Sequence, residues 1–406
     1  MSTRASAAEI FGVSQSSFPS APPESGLRIS APPRSDGPLT IDLTVPEAIA
    51  GLLQERSFRR LARTLLGEHS SRHLGDARCA QTVEEFERGL GTLMLSALLE
   101  RTSKGVTYQG AEFLATGSAS LFVSNHRDIL LDSALLSRLV LSLGRPAPHP
   151  AVGDNLLHNG WIRNFFRLVD CFVIRRNLKG KELYMHSRQV SEYVRGLLDN
   201  GESVWIAQRQ GRTRDGADRT EPALLRMLLM AYERGHDHAG PVLPVAPVAV
   251  SYEYEPCDVF KAACILNAQV RHSPLERGRR DTAHMLGGLL QPKGRIYLTV
   301  REPVMVDHAA AKGRGSDRAD FIADLAARVD LEIARGYHIW PTNYVAHDLA
   351  SGKRAYADHY TPQEREEFCA YLAHSAERIL ATREMAEHAL LKLYARAVDQ
   401  RVALTN

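Results

Sequence analysis

The stretch Leu121-Phe122-Val123-Ser124-Asn125-His126-Arg127-Asp128-Ile129-Leu130-Leu131-Asp132 holds residue types that could do chemistry. An apolar strand pattern ends in Ser-Asn-His, and an apolar helical pattern follows Asp132. That places His126 at a strand-to-helix corner, an exposed position on an α/β sheet. A histidine oriented by a carboxylate is a general base suited to taking the proton of an alcohol. Asp128 and Asp132 both offer that carboxylate. Taken alone, such a histidine equally fits a helix cap or a surface position.

Two further stretches carry positive charge at the ends of apolar runs. Cys171-Phe172-Val173-Ile174 runs into Arg175, Arg176, Lys179 and Lys181. Paired guanidinium groups clamp phosphate oxygens bidentately. Val204-Trp205-Ile206-Ala207 runs into Gln208-Arg209-Gln210-Gly211-Arg212-Thr213-Arg214-Asp215-Gly216. A glycine that lets backbone approach closely, with Arg212 and Arg214 beside it, again suits an anion. Either stretch would also serve as a solvated basic rim. Trp161, Phe165 and Phe166, beside Arg163 and Arg167, fit an interfacial helix face or plain core.

These segments need elements to hold them. Residues 1–45 are rich in Ser and Pro and read as a disordered tail. Residues 46–104 read as a helical lead-in, with helices expected at 47–66 and 82–100. Residues 105–340 alternate strand and helix patterns. The expected strands are 120–124, 171–174, 203–207, 242–254 and 295–300. The expected helices are 133–143, 159–168, 181–199, 222–234 and 318–335. Residues 341–406 look helical at 362–378 and 382–398. The fold class expected is α/β, a mostly parallel central sheet flanked by helices, with helical N- and C-terminal additions.

Composition bounds the answer. The chain has 406 residues, 44% of them hydrophobic, and a net charge of +3. This excludes a fibrous repeat and a polytopic membrane protein. The balanced charge argues against nucleic acid as a partner. Yet residues 161–181 hold six Lys or Arg against Asp170 alone. Five scattered cysteines and no signal-peptide pattern point to a reducing, cytoplasmic setting. His236-Asp237-His238 reads as a loop rather than a metal site, and no metal is expected. Arg277-Gly278-Arg279-Arg280 reads as a solvated charge cluster, and His347-Asp348 as structural.

Taken in order, the segments around His126, Arg175, Gly211 and Val242–Tyr254 resemble the four characteristic blocks of the glycerolipid acyltransferases. That superfamily includes glycerol-3-phosphate and lysophosphatidic acid acyltransferases. Phe172 to Tyr184 is similar to the second block of the bacterial glycerol-3-phosphate enzymes, and Gly211 to Gly216 is similar to their Gly-Arg-Ser-Arg-Thr-Gly. Two departures stand out. The family's first block is H-x-x-x-x-D, whereas Asp132 lies one residue further from His126; Asp132 remains the favoured partner and Asp128 the rival. The family's third block carries Glu before its glycine, whereas this chain has Gln210.

The resemblance implies acyl transfer from acyl-CoA or acyl carrier protein to a hydroxyl of glycerol 3-phosphate or a lysophospholipid, without a cofactor. His126 would be the base and Asp132 its orienting carboxylate. Arg175, Arg176, Lys179, Gly211, Arg212 and Arg214 would hold the acceptor. The alternatives are a lysophosphatidic acid acyltransferase and a catalytically dead lipid-binding protein. A lipid product would put the chain at the inner face of the cell membrane, peripherally attached.

Overall fold

The computed structural model describes residues 39–114, 118–158, 160–232, 243–266, 287–306 and 316–405. Most of the proposed tail, His236-Asp237-His238 and Arg277-Gly278-Arg279-Arg280 lie outside them.

In chain order the helices are α1 (Val45–Gln54), α2 (Arg56–Leu66), α3 (Ser70–Ala77), α4 (Val83–Phe86), α5 (Thr92–Thr102), α6 (Leu131–Ser142), α7 (Gly160–Leu168) and α8 (Gly180–Asp199). They continue with α9 (Pro222–Leu229), α10 (Asp258–Leu266), α11 (Ser316–Gly336), α12 (Pro341–Ser351), α13 (Pro362–Ala376) and α14 (Arg383–Thr405). The strands are β1 (Ser103–Gln109), β2 (Leu121–Ser124), β3 (His149–Gly153), β4 (Phe172–Ile174), β5 (Val204–Ala207), β6 (Leu243–Tyr252), β7 (Gly294–Val300) and β8 (Val304–Val306).

The sheet runs β1-β7-β6-β2-β5-β3-β4, with β8 on β6. Among the described residues only β6–β7 and β6–β8 are antiparallel pairs; the other neighbours are parallel. The α/β class with a mostly parallel sheet is therefore what the chain adopts. β2 shows why. Leu121 and Val123 enter one core with α8, α9 and α11, while Phe122 enters another with α2, α5 and α6. A strand apolar on both faces must be covered on both, as parallel sheets are.

Several boundaries differ from the sequence expectation. The first expected helix is two, because Glu55 takes extended backbone (φ −72°, ψ 123°). The break lets α1 pack on α7 while α2 packs on α5. The second is interrupted at Glu87–Gly91, where Gly89 leaves helical geometry. β1 starts before residue 105 and reads as polar because it is an exposed edge strand. β3 carries His149 and Pro150, which hide its strand pattern. In α12, buried Thr342, Asn343 and Asp348 obscure the apolar stripe. Trp161 and Phe166 are buried against the N-terminal helices, so this face is core.

Candidate functional site

β2 ends at Ser124, and Asn125 then docks the turn onto β6. Its side chain accepts from Val250 N–H at 2.8 Å and donates to Val250 C=O at 2.9 Å, as a strand backbone would. His126 follows, partly buried, with its ring edge-on to Trp205 (centroids 5.7 Å apart).

Of the two candidate carboxylates, Asp132 is the one that meets His126. Nδ1 of His126 and Oδ2 of Asp132 are 2.9 Å apart. The same oxygen accepts from the backbone N–H groups of Arg127 (2.7 Å) and Asp128 (2.9 Å). The hydroxyl of Tyr252 donates to Oδ1 at 2.8 Å. An acceptor surrounded by donors takes the Nδ1–H of the imidazole. With Nδ1 occupied, Nε2 is the nitrogen left for a substrate. Asp128 does not pair with His126. Its Oδ1 accepts from Leu130 N–H and Leu131 N–H, both at 2.9 Å, and so ties down the turn that leads into α6. The extra residue between His126 and Asp132 is absorbed by this turn.

Behind the turn lies a buried charge cluster. Arg127 pairs with Asp218 (2.5 Å) and Glu255 (3.2 Å), and Lys261 pairs with Glu255 (2.5 Å) and donates to the carbonyl of Arg127 (2.8 Å). Two cations thus face two carboxylates. Burial works against the charge of Glu255, but Arg127 and Lys261 outweigh it and hold its carboxyl below the usual range. The C-terminal helix joins in. Tyr394 on α14 donates to Asp258 at 2.9 Å and accepts from the Glu255 N–H at 3.0 Å, and Gln400 accepts from the Asp218 N–H at 2.9 Å.

His126 opens onto a cleft of about 2200 Å³. One part of its wall is basic: Arg175, Arg176, Arg212 and Arg214 line it, together with Gly211. Gly211 has φ +76°, a left-handed conformation that glycine adopts without strain. The guanidinium of Arg176 lies against Gly153, where a Cβ would stand 2.4 Å from Nε. Another part is apolar, lined by Phe58, Leu61 and Leu65 of α2, Leu98 of α5, and Leu130 and Ala134 near the head of α6. Lys179 is not brought to this wall. The backbone turns at Asn177 (φ 64°) and Gly180 (φ 54°), leaving Lys179 exposed at the head of α8.

Sequence reading missed Tyr252, Asp218, Glu255 and Lys261. Their partners in the segment 127–132 stand 91 to 134 residues away, and no local pattern marks them. It also missed Glu221, which lines the cleft and accepts from the Gln210 N–H at 3.3 Å. A carboxylate thus stands at this turn even though position 210 has none.

The family model described as acyltransferase matches residues 105–251. Two curated proteins align with part of the chain. Glycerol-3-phosphate acyltransferase of Haemophilus ducreyi is 33% identical over 168 residues, which is 40% of this chain and 20% of that protein. Glycerol-3-phosphate acyltransferase of Hamiltonella defensa is 30% identical over 195 residues, which is 47% of this chain and 22% of that protein. The chain therefore spans about a fifth of these relatives. Among solved structures, the 1-acyl-sn-glycerophosphate acyltransferase PlsC of Thermotoga maritima aligns with a TM-score of 0.34 and 13% identity. That alignment covers 70% of this chain and 92% of PlsC.

Proposed function

We propose, from the match of residues 105–251 to the acyltransferase family model, that this chain transfers a fatty acyl group from acyl-CoA or acyl carrier protein to a hydroxyl of glycerol 3-phosphate or a lysophospholipid in phospholipid biosynthesis. The observation that carries the reading is the His126–Asp132 pair at the cleft wall. Nε2 of His126 takes the hydroxyl proton of the acceptor as its oxygen attacks the thioester carbonyl. The new C–O bond forms, the C–S bond breaks, and the imidazolium returns the proton to the leaving thiolate. Asp132 fixes the tautomer and stabilises the imidazolium between the two events.

The arginines Arg175, Arg176, Arg212 and Arg214 hold the acceptor phosphate and so bring its hydroxyl to His126. The apolar wall from α2, α5 and α6 takes the acyl chain. The chain works peripherally at the inner face of the cell membrane. Leu183, Tyr184 and Met185 support this: all three are exposed at the start of α8, beside exposed Lys179 and Lys181. Among the described residues, no helix is long and apolar enough to cross a membrane.

The test is an acceptor panel. Labelled acyl-CoA and acyl carrier protein are each offered with glycerol 3-phosphate, lysophosphatidic acid and other lysophospholipids. Transfer to at least one acceptor, lost in His126→Ala, is expected. Vesicle binding without transfer to any acceptor would mean a lipid-binding protein instead.

A further inference from the structure

Both backbone donors that hold Asp132, from Arg127 and Asp128, act on the same oxygen as His126. They fix Oδ2 in place but leave the carboxylate free to swing about that oxygen. The other oxygen has one hydrogen-bond donor among the described residues, the hydroxyl of Tyr252 at 2.8 Å. Asp132 is 0% and Tyr252 1% exposed, so no solvent competes for that bond. The hydroxyl comes from the last residue of β6, the strand that Asn125 grips two residues earlier, at Val250. Strand, tyrosine and carboxylate therefore form one rigid path to His126.

We propose that Tyr252 is a positioning residue for the base: it locks the Asp132 carboxylate and, through it, the direction in which His126 presents Nε2. The proposal rests on the reading of His126 as the base. Burial, and then the charges of Asp132 and Asp128, push the phenol well above the usual tyrosine range. The hydroxyl thus stays protonated and remains a donor. The ring itself packs beside Val250 and Leu131 in the core, a role that phenylalanine would keep. The hydroxyl can accordingly be removed without removing the packing.

The experiment uses the full chain. In Tyr252→Phe, kcat falls about tenfold while KM for donor and acceptor stays within about twofold. In an Asp132→Asn background the same change costs nothing more, because its partner has already been altered. A second readout needs no turnover. The Nδ1–H proton of His126, bonded to a carboxylate, resonates far downfield in proton NMR, and Tyr252→Phe moves it upfield. An unmoved resonance, a change in KM alone, or losses that multiply in the double variant would each overturn the assignment. Should the wild type transfer no acyl group, the acyltransferase reading fails, and the resonance still decides what Tyr252 does.

Discussion

The two ends of the cleft are built differently. At the His126 end Asn125, Arg127 and Asp132 are each tied to a distant part of the chain. Asn125 is tied to β6, Asp132 to Tyr252, and Arg127 to Asp218, Glu255 and, through its carbonyl, Lys261. All of these except His126 are buried. At the basic end the side chains stand on loops after β4 and β5, and Arg175 and Arg214 are exposed. A base must be aimed to within tenths of an ångström, whereas a phosphate tolerates approach by several flexible cations. On the proposed mechanism, rigidity sits where a proton moves, and adaptability sits where a charged group is captured.

The comparison is sharpest in kinetics. His126→Ala should lower kcat roughly a thousandfold, within the range ascribed to general bases, and leave acceptor KM nearly unchanged. Steady-state assays across acceptor concentrations check this; a variant with wild-type kcat ends the mechanism. Arg176→Met should do the reverse. Losing a charge-assisted bond to phosphate raises acceptor KM roughly tenfold to a hundredfold, with little change in kcat. A fall in kcat alone would mean that Arg176 belongs to the rigid end.

The same contrast explains what could be read from the sequence. His126, Asp132 and the arginines are local features. An apolar run ending in a polar turn announces its site within a dozen residues, and strands β2, β4, β5, β6 and β7 show the same clarity. Tyr252, Asp218 and Lys261 matter through contacts made only after folding, so their sequence surroundings carry no sign of them. The choice between Asp128 and Asp132 shows where reading ran out. The sequence favours Asp132 with Asp128 as its rival, and the turn in which Asp128 binds the Leu130 and Leu131 N–H groups separates them. Lys179 shows a different limit: its sequence neighbourhood is right, since Leu178 and Gly180 line the cleft, but its own side chain stands exposed beside that wall.

A smaller change probes the adaptable end without touching its charge. Gly153 has ordinary backbone (φ −77°, ψ 139°), so alanine suits its conformation. The added Cβ would nonetheless stand 2.6 Å from Oδ1 of Asn155, which must give way, and 2.4 Å from Nε of Arg176, whose guanidinium must shift. Because that side chain is flexible, the shift is cheap. Gly153→Ala should raise acceptor KM about threefold, the equivalent of roughly 0.6 kcal/mol, with kcat unaltered. A change as large as that of Arg176→Met would show the basic end to be as tightly built as the other.

A change of pH also separates the two ends. Lys293 is fully buried, and its ammonium donates to the carbonyls of Gly288, Leu289 and Gln291, each at 2.8 Å. Burial lowers its pKa to about 8, against the opposing pull of Asp128 and Cys257. Between about 8 and the ordinary lysine value of 10.5, the unfolded chain holds a proton that the folded chain has released. Stability from this group therefore rises with pH across that window, and the cost of burying the charge is fully present below it. Urea unfolding at pH 7 and pH 9 should show wild type gaining about 1 kcal/mol relative to Lys293→Met. A guanidinium keeps its charge in proteins, so acceptor KM should hold constant over the same range. A stability difference independent of pH would mean that the three carbonyls keep Lys293 charged, placing its ammonium among the fixed charges of the rigid end.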